Sequence, residues 1–180
     1  MKTKIIATNE TIQEIVNNEI KKLGLTADLN HIDTSKVTDM SYLFVESNFN
    51  GDISQWNVSN VENMSHMFAL SNFNKNISQW DVSKVKKMHY MFYKSKFNKN
   101  ISQWNVSNVE TIQCMFSLSK FKQDISNWNF SKVKDMNRVI ADDFNTEAII
   151  NKFINSTDGY YTQYKKKLIN DLMKKLKNLV

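Results

Sequence analysis

The chain has 180 residues, 41% hydrophobic and 23% charged, with a net charge of +6. That balance points to one compact domain, or a domain with an appendage, and excludes wholesale disorder. The single cysteine, Cys114, excludes an internal disulfide framework and a multi-cysteine metal cluster. There is no proline, and there are only three glycines against 24 asparagines. Chain reversals are therefore expected to turn on Asn, which tolerates left-handed backbone better than other non-glycine residues. No secretory leader and no apolar run of membrane-spanning length is apparent, so the expectation is a soluble, reduced, cytoplasmic protein.

At the N-terminus, Thr3, Lys4, Ile5, Ile6 and Ala7 suit a short strand. Asn9 offers a helix N-cap, and Ile12, Ile15, Val16, Ile20 and Leu23 keep helical spacing until Gly24 stops it. Residues 1–24 thus read as a strand–helix cap on the rest of the chain.

Residues 25–144 repeat. Trp56, Trp80, Trp104 and Trp128 stand 24 residues apart, as do Phe49, Phe73, Phe97 and Phe121, and Ile53, Ile77, Ile101 and Ile125. Val37, Val61, Val85, Val109 and Val133 keep the same step, followed by Met40, Met64, Met88, Ile112 and Met136. Phe44, Phe68, Phe92 and Phe116 complete the apolar set, with Ile140 in the last copy. The first copy, 25–48, is degenerate: Leu29 and Ile32 stand for the isoleucine and tryptophan. Within a unit, the segment Ile53, Trp56, Val58, Val61 suits short strands and tight turns, while Met64, Met67 and Phe68 suit one face of a short helix. A unit of this size cannot bury its apolar face alone but can do so against its neighbours. The expected fold is an α/β repeat: a short right-handed solenoid of about five 24-residue coils with helical caps at both ends.

Polar registers recur as well. Ser54, Ser78, Ser102 and Ser126 form one, and Asn50, Asn74 and Asn98, broken by Lys122, form another. They are read as scaffold, satisfying backbone groups of adjacent coils, and the tryptophans as aligned core.

Residues 145–180 read as a C-terminal helical cap. Tyr161, Tyr164, Leu168, Leu172, Leu176 and Leu179 form one stripe of a basic amphipathic helix carrying Lys165, Lys166, Lys167, Lys174, Lys175 and Lys177. Most of the net charge sits in this tail. Summed along the chain, the body is nearly neutral and supplies no basic stripe of the kind a general nucleic-acid-binding surface needs.

The order of W-[ND]-V-S-[NK]-V and M-x-x-M-F cores through 49–72, 73–96 and 97–120 resembles the BspA-like leucine-rich-repeat family of bacteria and mycoplasmas. The resemblance spans roughly residues 28–144. It implies a leucine-rich-repeat-type solenoid and, for secreted members, surface adhesion. The opening strand and helix leading into Asp28-Leu29-Asn30-His31-Ile32-Asp33 resemble the short non-secreted members.

Chemistry is sparse. His66 and His89 fall in different registers, with a diagonal approach across adjacent coils but no recurring carboxylate to complete a metal site. Cys114 has no aligned His–Asp pair and is expected as a surface or half-buried thiol. Asp52 and Asp124 are separated by copies with Asn76 and Asn100, so no paired catalytic carboxylates emerge, and no glycine loop cradles a phosphate. No enzyme activity, cofactor or metal is expected.

The registers that vary between copies carry the functional reading: Tyr42/His66/Tyr90/Cys114/Arg138 and the stretch after them. Tyr42, His66, His89, Tyr90, Tyr93 and Lys94 are the candidate protein-binding residues, on a face that would serve an adaptor or inhibitor. The alternatives are a surface adhesin of the BspA type and nucleic-acid binding through the lysine-rich C-terminal helix.

Overall fold

The structure is a computed structural model that describes residues 4–134. Met136, Arg138, Ile140, the expected C-terminal cap and its helix with Lys165, Lys166, Lys167, Lys174, Lys175 and Lys177 lie outside the described residues.

The chain opens with strand β1 (Ile5–Ile6) and helix α1 (Ile12–Leu23), followed by strand β2 (Ile32–Asp33). β1 runs parallel to β2, with Ile5 opposite Ile32 and Ile6 opposite Asp33. Helix α1 buries Ile12 and Val16 and ends at Gly24, whose φ of 94° costs a residue without Cβ little. The N-terminal boundary is Thr11 rather than Asn9. Asn9 instead crosses to the first unit, where its Oδ1 accepts the backbone N–H groups of Thr38 (2.8 Å) and Asp39 (3.1 Å). A side chain able to cap its own helix here ties that helix to the next element.

Beyond α1, successive units lie against one another in register. Parallel bridges join Asp28 to Asp52, and join Asp39, Asn63, Lys87 and Thr111 in series, each step being 24 residues. The core follows the same step. Phe44, Phe68, Phe92 and Phe116 stack with centroids 5.4, 5.6 and 5.7 Å apart and planes within 3° of parallel. Inside a unit, Phe68 packs on Phe73 at 4.3 Å and Phe92 on Phe97 at 4.2 Å. Each such ring is essentially dry, and full burial of an aromatic of this size is worth about 1.5–3 kcal/mol.

The four tryptophans are core residues, at most 4% exposed. Each indole N–H donates to the carbonyl of the residue in the preceding unit's isoleucine register: Trp56 to Leu29, Trp80 to Ile53, Trp104 to Ile77 and Trp128 to Ile101, at 3.0–3.2 Å. A buried indole needs such a partner, and the step supplies the same one each time.

The segment carrying Met64, Met67 and Phe68 is not a helix. All three side chains are buried, as their spacing predicts, but the backbone makes consecutive tight turns. Met67 N–H bonds Met64 O, Ala69 N–H bonds His66 O, and Ser71 N–H bonds Phe68 O. His66 (φ 60°) and Leu70 (φ 58°) are left-handed, which interrupts any right-handed run. The remaining N–H groups of this stretch leave the unit: Met64, His66, Phe68 and Leu70 donate to Lys87, His89, Met91 and Tyr93. The same pattern recurs at 40–47 and 88–95, so every second N–H reaches the next unit while the intervening ones close turns. A left-handed non-glycine residue costs about 1–2 kcal/mol, and these ladder bonds hold it in place.

The polar registers serve the backbone. Asn50 Oδ1 accepts the N–H of Asn74, Asn74 that of Asn98, and Asn98 that of Lys122, all near 2.9 Å. Ser54, Ser78, Ser102 and Ser126 donate their N–H to Oδ1 of Asp52, Asn76, Asn100 and Asp124. Asp and Asn both occur in that register because either supplies the oxygen an Asx turn needs.

Candidate functional site

The left-handed positions of the turns are the variable registers. Tyr42, His66, Tyr90 and Cys114 occupy the first (φ 53–62°), and Glu46, Leu70, Lys94 and Leu118 the second (φ 52–58°). Neither glycine nor asparagine stands at any of them. The fixed apolar registers point inward, while at these turns Tyr42, Leu70 and Leu118 remain 51%, 44% and 60% exposed.

The first register forms a ring ladder. Tyr42 stacks on His66 (centroids 4.5 Å, planes 11° apart) and His66 on Tyr90 (4.8 Å, 8°). His89 meets the side of this ladder edge-on, 5.3 Å from His66, which is the diagonal approach expected from their registers. Tyr93 stands edge-to-face with Tyr90 at 5.4 Å, and Lys94 Nζ sits 5.4 Å over the Tyr93 ring. All six candidate residues thus fall on one continuous surface. Cys114 ends the ladder, and it is buried at 5% exposure, not a surface or half-buried thiol. Its place in a packed column keeps the sulfur from reagents.

Burial pushes the His66 imidazole below its ordinary range, and the neighbouring His89 adds to the effect. His66 Nδ1 is buried without a hydrogen-bond partner among the described residues. Ser65 Oγ donates to Asn63 Oδ1 (2.7 Å) and so has only acceptor capacity for His89 Nδ1, 3.0 Å away. The Thr111 hydroxyl lies 3.2 Å from the same Nδ1. Among the described residues no group of three His, Cys, Asp or Glu side chains is placed to hold a metal ion. Asp52 is held below the usual carboxylate range chiefly by the Ser54 backbone N–H, a turn bond and not a catalytic one.

Sequence reasoning missed a second histidine contact. His31 Nε2 lies 2.7 Å from Glu19 Oε2, both side chains being nearly buried, and pins α1 to β2. Burial alone would raise the Glu19 carboxyl, but the bond from His31 and the charge of Lys22 carry it below its usual range. Only the helix docking brings these residues together. A cleft of about 290 Å³ beside Asn9 and Gln13 has its amides already engaged, Gln13 Nε2 donating to Leu43 O at 3.2 Å.

Residues 11–117 and 69–156 match the family described as Mycoplasma protein of unknown function, DUF285. The chain belongs to this family. The two matches overlap, as an internally repeating chain permits, because its units can be aligned in more than one register. No curated protein and no solved structure matches the chain. Among the described residues no helix of this family member is long and apolar enough to cross a membrane.

Proposed function

We propose that this DUF285 chain is a non-enzymatic protein-binding module, a short right-handed leucine-rich-repeat-like solenoid of the BspA-like kind acting as an adaptor or inhibitor. Its partner is held by the face bearing Tyr42, His66, His89, Tyr90, Tyr93 and Lys94. The observation that carries this reading is the split between registers. The repeating apolar positions are buried and the recurrent Asn and Ser bond the backbone, whereas Tyr42, Leu70 and Leu118 are exposed at turn positions that change from unit to unit. A scaffold with constant core and variable rim is how stacked repeats present a recognition surface, and aromatic side chains on it are the usual energetic centres.

Affinity purification of the full chain from its native cell, read by mass spectrometry, tests the proposal. The wild type is expected to retain a stoichiometric protein partner. A Tyr90→Ala/Tyr93→Ala double variant is expected to lose it at an unchanged melting temperature. A folded double variant that recovers the partner undiminished would show the reading to be wrong.

A further inference from the structure

The lysines of the body are divided between two edges. On one, four lysines are matched to the preceding unit: Lys84 Nζ bonds Asn60 Oδ1 (2.7 Å), Lys132 bonds Asn108 Oδ1 (2.7 Å), Lys86 pairs with Glu62 (2.8 Å) and Lys134 with Glu110 (2.6 Å). The other edge follows the variable turns. There Lys75, Lys96, Lys99, Lys120 and Lys122 are all exposed. The charge of Lys75 acts on Asp52 of the preceding unit, whereas among the described residues Lys96, Lys99, Lys120 and Lys122 form no salt bridge. Lys94 stands in the same stretch, and the acids in these columns are Glu46 and Asp52 in earlier units and Asp124. The bridged units are spaced as neighbouring strands, about 4.8 Å apart, so this positive charge is gathered within three units, roughly 10 Å of stack. That is about one Debye length at physiological salt, so the charges act on a partner together.

What accompanies the charge is aliphatic. Leu70 and Leu118 flank Lys94 in its own register and are exposed. Beside these lysines no aromatic face is on offer for bases: the indoles are buried, His66 is covered on both faces and Lys94 lies over Tyr93, while the exposed Tyr42 stands two units before Lys94. The chain's own C-terminal lysines carry the same sign and do not complement this edge. We infer that the lysine edge, continuous with the variable face, docks an acidic protein segment punctuated by apolar residues, with Leu70 and Leu118 receiving the apolar side chains. This deepens the protein-binding reading and rests on it.

The test uses the full chain and a fluorescein-labelled peptide repeating Glu-Glu-Leu, read by fluorescence anisotropy, with a Gln-Gln-Leu peptide and single-stranded oligothymidylate as comparisons. The Glu peptide is expected to bind with an affinity that falls as salt rises, and the Gln peptide to bind at least tenfold more weakly. Lys96→Gln/Lys99→Gln/Lys120→Gln/Lys122→Gln is expected to weaken the Glu peptide at least tenfold. Lys84→Gln/Lys86→Gln/Lys132→Gln/Lys134→Gln removes the same charge from the other edge and is expected to leave binding within about twofold. Equal loss from both variants, no loss from either, no binding of the Glu peptide, or tighter binding of oligothymidylate through the same four lysines would each overturn the proposal. Tyr90→Ala/Tyr93→Ala separates the two readings. If it spares the native partner while the first lysine variant loses it, the aromatic assignment fails and the acidic-segment assignment stands.

Discussion

At the scale of single residues, His66 shows how the stack changes chemistry. Its ring lies between Tyr42 and Tyr90 with His89 against its side, and Nδ1 is cut off from water. Burial disfavours the charged form, so the folded state holds this proton less tightly than the unfolded chain, whose value is 6.5. Unfolded molecules then bind more protons below that pH, and stability rises with pH through the window. The stabilising contribution is complete above about pH 6.5 and is lost as pH falls toward the depressed folded value. Urea midpoints taken between about pH 5 and 7.5 are expected to climb for the wild type and to climb less steeply for His66→Phe, which keeps the stacking. Equal slopes in the two proteins would mean that His66 is not desolvated as described. That His66 and His89 approach each other was legible from their registers. The orphaned Nδ1 was not, because ring orientation depends on neighbours in three units.

At the scale of elements, the turn column replaces the expected helix. Apolar spacing of three and four residues describes a helix face, but it equally describes tight turns that return the chain inward at the same interval. The usual marker for left-handed turns is Gly or Asn, and here Tyr, His, Cys, Glu, Leu and Lys hold those positions. Local propensity therefore gave no warning, and the ladder of N–H bonds to the next unit overrides it. Gly51 is a different case. A Cβ there would stand 2.0 Å from the Ala27 carbonyl and 2.6 Å from the Phe49 ring, although Lys75 and Lys99 occupy the same register in later units. The close approach belongs to the degenerate first unit, where Asp52 N–H bonds Ala27 O at 3.0 Å. Gly51→Ala is expected to cost at least about 2 kcal/mol in urea unfolding, because backbone and an immobilised ring must both give way. A loss below about 0.5 kcal/mol would show that the first two units separate easily.

At the scale of the whole molecule, each described bond between units reaches the adjacent one, as in Asn50 to Asn74 to Asn98. Stability in such an arrangement is a sum of unit and nearest-neighbour contributions. Excising residues 73–96 rejoins Asn72 to Phe97 with every register intact. The shortened chain is expected to unfold cooperatively at a lower melting temperature, with tryptophan emission still blue-shifted. Excising only 73–84 puts each register opposite a mismatched one and is expected to abolish the cooperative transition. If both deletions behave alike, the 24-residue step is not what organises the core.

The sequence by itself determined the step, the core registers and the bonding role of the recurrent Ser and Asn, because a residue repeated at a constant interval in stacked units meets its own copies. Three things were decided only by the tertiary structure. Turns stand where a helix was expected, since the inter-unit bonds that hold left-handed residues do not exist in an isolated segment. Asn9 serves the first unit instead of capping α1, and Glu19 meets His31, since each finds that partner only after docking. The lysines separate into a matched edge and an unmatched one, since a charge total along the chain adds together residues that folding places on different sides.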